Sequence, residues 1–322
     1  MKAFVLSDQG PRIAEVATPV PKANEVLIRV RACGLNRADL GMAAGHKHGA
    51  AGGPGAVLGL ECAGEVVSVG AEVSGLKAGD RVMASGGGCY AEYAVADWGR
   101  VVPIPAGLSF AQAAALPVAL QTMHDAVVTH GGAGAGSAVM IQGASSGVGL
   151  MAMQIAKARG ARLVVGSSTN AQRRARLAEF GADLAVDSAD PGWVDQVLKA
   201  TDGAGVDLIV DQVSGGVMNQ NMKATRILGR IVNVGRLGGT HSDFDFDLHA
   251  LRRISYIGVT FRTRSVEEVR EINRRMRADL WPMVEAGKLS LPIDRTFPLD
   301  AAAEALAYMR ANQHFGKIAL EV

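Results

Sequence analysis

A chain of 322 residues, 48% hydrophobic and 20% charged, has the make-up of an ordinary globular protein and is long enough for two domains. Its formal net charge of +2, with lysine and arginine scattered along the chain, leaves no basic footprint and so no nucleic-acid partner. Cys33, Cys62 and Cys89 are widely spaced and form no Cys-x-x-Cys pair, which excludes a disulfide framework and a structural zinc lobe and suits the reduced cytoplasm. The first residues lack the apolar core and cleavage site of a signal peptide, and no apolar run reaches the ~18 residues of a membrane helix. A cytoplasmic protein with no membrane partner is expected.

The first hundred residues read as short strands at 2–6, 25–32, 64–69, 81–84 and 91–95, separated by Pro11, Pro19, Pro21, Gly70, Gly79 and Gly86 to Gly88. Between them, the segment from Gly45 to Gly55 is too glycine-rich for a stable element and predicts a mobile loop. From Ser109 the period changes. Helices are expected over 110–118 and 120–130, after which strands at 138–142, 162–166, 185–187, 206–211, 230–234 and 254–261 alternate with helices at 149–159, 171–180, 191–201 and 216–227. Alternating units of this size favour an α/β fold, a doubly wound parallel sheet covered on both faces. The tail predicts a long helix over 266–286, a strand near Arg295, a helix over 301–312 and a closing strand over 317–322. The arginines at 270, 274, 275 and 277 alternate with acids and read as a solvated helix face.

The strand ending at Gln142 runs into Gly143-Ala-Ser-Ser-Gly-Val-Gly149 and then a helix. Gly147 lets the backbone approach a pyrophosphate, Gly149 lets the helix pack closely on the strand, and the helix N-terminus supplies unpaired N–H groups and positive potential. Such a turn is weak evidence alone, but here it occupies the first crossover of a multi-unit α/β region. Sites that prefer NAD place an acid about 20 residues further on. The corresponding segment, Gly166 to Arg174, contains no carboxylate to repel a 2′-phosphate and offers hydroxyls and guanidinium groups to bind one, so NADPH is the expected cofactor.

Several segments together resemble the zinc-free quinone oxidoreductase group of the medium-chain dehydrogenase/reductase superfamily. They are Asn36-Arg-Ala-Asp-Leu40, Leu58-Gly-Leu-Glu61 with Gly64, Gly79-Asp-Arg-Val82, Tyr90-Ala-Glu-Tyr93, Ala113-Ala-Ala-Leu-Pro117, Ser146-Gly-Val-Gly149, Asp211, Gly229-Arg-Ile231 with Gly235, and Phe315-Gly-Lys317. The likeness covers nearly the whole chain. It implies a mostly β, GroES-like catalytic domain made of residues 1–121 and 262–322, with a Rossmann dinucleotide-binding domain, residues 122–261, inserted in it. It also implies a homodimer joined through the strand at 254–261. By position, Asn36 and Thr122 would lie at the nicotinamide ribose, and Ser146, Gly147, Val148 and Gly149 along the pyrophosphate. Ser168 and Arg173 would meet the 2′-phosphate, and Gly235, Val259 and Phe261 the carboxamide.

Where zinc-dependent relatives carry metal ligands, this chain has Asn36 and Leu60, so no metal is expected. The tyrosine that relatives often place after the Asn-x-x-Asp segment is also missing, since Gly41 and Lys47 stand there. Lys47, with His46 or His48, is then a candidate proton donor beside Asn36 in the catalytic set, and water is the other. His124 either lines the acceptor pocket or fills the space behind it, and Tyr90 and Met123 are expected to shape that pocket. Cys62 reads as a packing residue because no base stands near it. Without a metal to stabilise an alkoxide, the acceptors that fit are quinones and α,β-unsaturated carbonyls, which spread the developing charge themselves. Reduction of an enoyl thioester, and non-catalytic NADPH binding of a crystallin-like or RNA-binding kind, are the competing readings.

Overall fold

Short apolar runs separated by turns organise the N-terminal residues into antiparallel strands, as seen in a computed structural model that describes residues 1–322. Strands β1 (Lys2–Ser7) and β2 (Gly10–Glu15) form a hairpin around Gly10, whose φ is +97°. β3 (Glu25–Gly34), β4 (Glu61–Val69), β5 (Arg81–Ser85), β6 (Tyr93–Asp97) and β7 (Val101–Pro103) follow. β2, β7 and the helix α1 (Arg37–Ala43) were not anticipated, each being too short to show a period. The division between the helices expected over 110–118 and 120–130 falls earlier in the chain, between α2 (Phe110–Ala114) and α3 (Pro117–His124). Pro117 explains the division, because it lacks an N–H and disfavours helical backbone at the residue before it, while suiting the first turn of a new helix. α3 continues as a π-helical stretch, Asp125–His130.

Next come β8 (Ala138–Gln142), α4 (Gly147–Ala158), β9 (Leu163–Ser167), α5 (Ala171–Ala175), β10 (Leu184–Val186), α6 (Trp193–Ala200) and β11 (Val206–Asp211). They are followed by α7 (Met218–Ala224), β12 (Thr225–Asn233), α8 (Phe246–Arg252) and β13 (Ser255–Gly258). The helix expected over 216–227 therefore stops three residues early. Thr225 Oγ1 donates to the Asn221 carbonyl at 2.7 Å, and Leu228 takes a φ of +61° that no helix contains. Ile227, the last residue of that expected helix, and Leu228 are 54% and 59% exposed on the strand.

The six strands β8 to β13 form one parallel sheet in the order β10-β9-β8-β11-β12-β13, the doubly wound arrangement. Its core is packed by Met140, Val165, Trp193, Val197, Ile209, Met222 and Ile231. Together with the preceding helical residues it makes one compact unit, Ala119–Thr260.

The other unit consists of Met1–Val118 and Phe261–Val322. Its C-terminal part contributes α9 (Val266–Glu285), β14 (Ile293–Pro298), α10 (Ala302–Arg310) and β15 (Lys317–Glu321). The sheet path is β14-β15-β3-β4-β5-β7, with β6 on the free part of β3. β15 pairs with β3, so the last residues of the chain complete a sheet whose first strand begins at Glu25, apart from the β1–β2 hairpin. No helix is long and apolar enough to cross a membrane.

Candidate functional site

In the parallel-sheet unit, β8 delivers the chain to Gly143, whose φ of +73° turns it towards α4. Ser146 caps the helix, its hydroxyl accepting from Gly149 N at 3.1 Å. Gly147 and Val148 then open the first turn, where amides have no acceptor within the helix and are available to an anion. A Cβ on Gly149 would lie 2.7 Å from both Cα and O of Ala144, so glycine is required for the helix to sit this close to the turn. Gln212 supports the turn from the end of β11. Its Nε2 donates to the carbonyls of Gln142 and Gly143 at 3.2 and 3.3 Å, and its Oε1 accepts from Ser146 Oγ at 2.9 Å.

A belt of buried polar groups crosses the carboxyl ends of the neighbouring strands. Ser167 Oγ donates to Gln142 Oε1 at 2.6 Å, Gln142 Nε2 to Asn221 Oδ1 at 2.8 Å, and Asn221 Nδ2 to Asp211 Oδ2 at 3.2 Å. Asp211 Oδ1 accepts the amides of Val213 and Ser214, while burial pushes its carboxyl above the ordinary range. Ser214 donates to the Gly235 carbonyl at 2.8 Å and is also bonded to Asn233 Nδ2. A Cβ on Gly235 would come within 2.6 Å of the Gln212 carbonyl. These bonds hold in place the loops where ligands of parallel α/β sheets bind. The turn's free first-turn amides and the close approach at Gly149 suit a pyrophosphate.

Ser168 follows β9 and is buried, with its hydroxyl 3.1 Å from Ser145 Oγ. Arg173 lies on α5, its amide bonded to the capping Asn170. Arg174 donates through Nη1 to the Ser168 carbonyl at 2.7 Å and to Asp187 Oδ2 at 3.0 Å. The sequence around β9 has no carboxylate, but the neighbouring strand β10 brings one. That corrects the expectation of an acid-free strand end. Val259 is buried, donating its amide to Asn233 O at 3.0 Å, and Thr122 is half-buried on α3. Met123 and His124 are 0% and 1% exposed. Both are interior packing and not pocket walls.

In the antiparallel unit, Asn36 precedes α1 and is 8% exposed. Its side chain is committed inwards, Nδ2 donating to Glu61 Oε1 at 2.9 Å and Oδ1 accepting from Lys317 Nζ at 2.9 Å. Lys317 directs its ammonium to three oxygens, the others being the Leu35 carbonyl at 2.7 Å and Glu61 Oε1 at 2.5 Å. Glu61 Oε2 accepts from Val118 N at 2.8 Å. The pair is almost completely buried, at 4% and 0% exposure. In the sequence, Glu61 and Lys317 stand out only as parts of the segments Leu58-Gly-Leu-Glu61 and Phe315-Gly-Lys317 that carry the family resemblance, with no role assigned to either side chain. The available signal was a charge at the first position of each of two otherwise largely apolar strands, β4 and β15.

Asp39 Oδ2 accepts the Asn36 amide at 2.7 Å and the Tyr90 hydroxyl at 2.5 Å. Burial pushes the Asp39 carboxyl up to about 7, against the lowering effect of these hydrogen bonds and of Lys317. Tyr90 is 0% exposed and belongs to the core, not to a pocket wall as expected. Cys33 and Cys62 lie opposite each other on β3 and β4, and Cys33 Sγ donates to the Cys89 carbonyl at 2.8 Å. All three thiols are buried, and burial pushes Cys33 up, away from the reactive thiolate.

The 45–55 loop contains only an isolated bridge between His48 and Ala51. Lys47 and His46 are exposed there, and His48 is lowered by burial and by Arg262. Phe261 is half-buried at the start of this unit's second segment. No three His, Cys, Asp or Glu side chains are grouped to hold a metal ion. A groove of about 810 Å³ between Trp98 and α9 contains none of the predicted site residues.

Residues 22–106 match the alcohol dehydrogenase GroES-like domain family, and residues 147–277 the zinc-binding dehydrogenase family. The chain is similar to the quinone oxidoreductase of Homo sapiens, 30% identical over 302 residues covering 92% of this chain and 89% of that protein. It is 31% identical over 310 residues to a phenolphthiocerol/phthiocerol polyketide synthase of Mycobacterium tuberculosis, 96% of this chain but 14% of the synthase. A solved alcohol dehydrogenase superfamily protein from Novosphingobium aromaticivorans has a TM-score of 0.89 and 29% identity, covering 100% of this chain and 99% of that one.

Proposed function

The chain belongs to the medium-chain dehydrogenase/reductase superfamily, and from that membership we propose that it transfers hydride from NADPH to a quinone or an α,β-unsaturated carbonyl without a metal. The observation that carries this reading is what stands at the two metal-ligand positions. One is Leu60, and the other is Asn36, whose amide is held by a buried Glu61–Lys317 pair. Neither supplies a thiolate or an imidazole. A simple ketone would then place full negative charge on one oxygen with no Lewis acid beside it. Quinones and enones delocalise that charge, and need mainly alignment, hydrogen bonds and a proton.

When bound, the nicotinamide supplies the hydride. Gly147 and Val148 offer amides to the pyrophosphate, Ser146 and Gln212 hold the turn rigid, and Ser168 and Arg173 are assigned to the 2′-phosphate. Asn36 and Thr122 are assigned to the nicotinamide ribose, and Gly235, Val259 and Phe261 to the carboxamide. The proton comes from water or from the exposed Lys47. We place the protein in the cytoplasm as a homodimer paired through β13.

A second reading, reduction of an enoyl thioester, draws on the match to a polyketide synthase over 96% of the chain. Enones and enoyl thioesters alike take hydride at the β-carbon of a conjugated carbonyl. NADPH consumption, with product identification by mass spectrometry, across quinones, simple and cyclic enones and enoyl thioesters separates them. Saturable reduction of quinones or enones is the expected result. Turnover restricted to thioesters selects the second reading, and tight NADPH binding with no turnover overturns both in favour of a binding role.

A further inference from the structure

We propose that the Arg174–Asp187 ion pair sets the preference between NADPH and NADH, an inference that rests on reading this strand end as the adenosine-ribose side of a nicotinamide dinucleotide site. β9 and β10 run parallel, with Val186 opposite Ser167, and Ser168 N donates to the Val186 carbonyl at 3.0 Å. Asp187, the next residue, is therefore brought to the same strand end as Ser168. Arg174 reaches back from α5 and binds both, through Nη1, at 2.7 Å to the Ser168 carbonyl and 3.0 Å to the Asp187 carboxylate. The other carboxylate oxygen of Asp187 accepts the Ala189 amide at 2.9 Å, which fixes its orientation. Ser168 Oγ lies 3.1 Å from Ser145 on the phosphate turn, tying the cluster to the site. The two charged side chains are 25% and 28% exposed, open enough to meet a ligand.

A hydroxyl, a guanidinium and a carboxylate thus meet at the end of two strands. Alone, Asp187 would accept a ribose hydroxyl and repel a 2′-phosphate, as the acid of an NAD site does. Arg174 cancels that charge, and its bonds to Ser168 and Asp187 use only Nη1, leaving other N–H groups for phosphate oxygens. The pair makes the site accept NADPH although a carboxylate stands in it. Arg174 favours the phosphate, and Asp187 supplies the residual affinity for NADH.

The test is the dissociation constant of NADPH and of NADH, followed by cofactor fluorescence, for the wild type, Arg174→Leu, Arg174→Lys, Asp187→Asn and the Arg174→Leu/Asp187→Asn double variant. Losing a charge-assisted contact to the phosphate is expected to weaken NADPH by about 10- to 100-fold in Arg174→Leu. NADH should be unchanged or tightened, so that the preference reverses. Asp187→Asn should weaken NADH alone, the double variant should recover part of the NADPH affinity, and Arg174→Lys should retain most of it. Arg174→Leu and Asp187→Asn leaving the NADPH-to-NADH ratio unmoved, or weakening both cofactors equally, would overturn the proposal and leave the pair a structural one. A wild type that binds neither cofactor would overturn the dinucleotide reading as well.

Discussion

Lys317 opens the last strand, 256 residues after Glu61, and their bond shows what a buried charge requires. Removing two ions from water costs several kcal/mol each, so such a pair persists only when the remaining donors and acceptors are met. Here the Leu35 carbonyl, Asn36 and the Val118 amide meet them. Asp39 beside them is less fully compensated. Its Oδ1 has no hydrogen-bond partner, and its carboxyl is raised from 3.8 to about 7 by burial, although Tyr90, the Asn36 amide and Lys317 pull it down and only Glu61 adds to the rise. The folded state therefore binds a proton that the unfolded state has released. The stabilising contribution is complete below about pH 3.8 and is lost as pH rises through about 7. Relative to Asp39→Asn, the wild type is expected to lose up to about 1.4 kcal/mol of unfolding free energy per pH unit inside that window. Urea unfolding of both proteins at stepped pH measures this, and parallel curves would show that Asp39 titrates normally in the fold.

At the level of elements, the β8–α4 turn has little room to change. A methyl at position 149 would meet Ala144 at 2.7 Å on two backbone atoms, which cannot rotate away. Gly149→Ala is expected to destabilise the protein by about 1–3 kcal/mol and to weaken NADPH at least about tenfold, because the turn must shift before it can close on an anion. Thermal unfolding and a fluorescence titration read the two effects separately. Unchanged NADPH affinity would mean that the turn does not hold the phosphates. This element was legible in the sequence because its glycines and its strand and helix periods are all local. The α7–β12 junction was not, because the expected helix ran on to Ile227, and only the pairing of β12 places Thr225 to Ile227 on a strand.

For the whole molecule, the parallel sheet ends at β13, an edge strand with Tyr256 46% exposed. An uncovered edge offers unpaired backbone groups to another chain. We expect two copies to pair there, giving a dimer in sedimentation equilibrium. Tyr256→Asp should dissociate it by placing like charges close together across the junction. A monomeric wild type, or a dimer indifferent to the substitution, would place the contact elsewhere. The sequence alone determined a mostly β first part, the alternating strands and helices of the parallel sheet, the glycine turn between β8 and α4, and the residue types at positions 36 and 60, because each depends on residue type, local spacing or a recognisable motif. Tertiary structure alone decided that Lys317 holds Glu61 and Asn36, that Tyr90 belongs to the core, and that Asp187 stands beside Arg174. Those partners are distant in the chain or lie on neighbouring strands, and tertiary contacts, among them the pairing of β3 with both β4 and β15 and of β10 with β9, bring them within bonding distance.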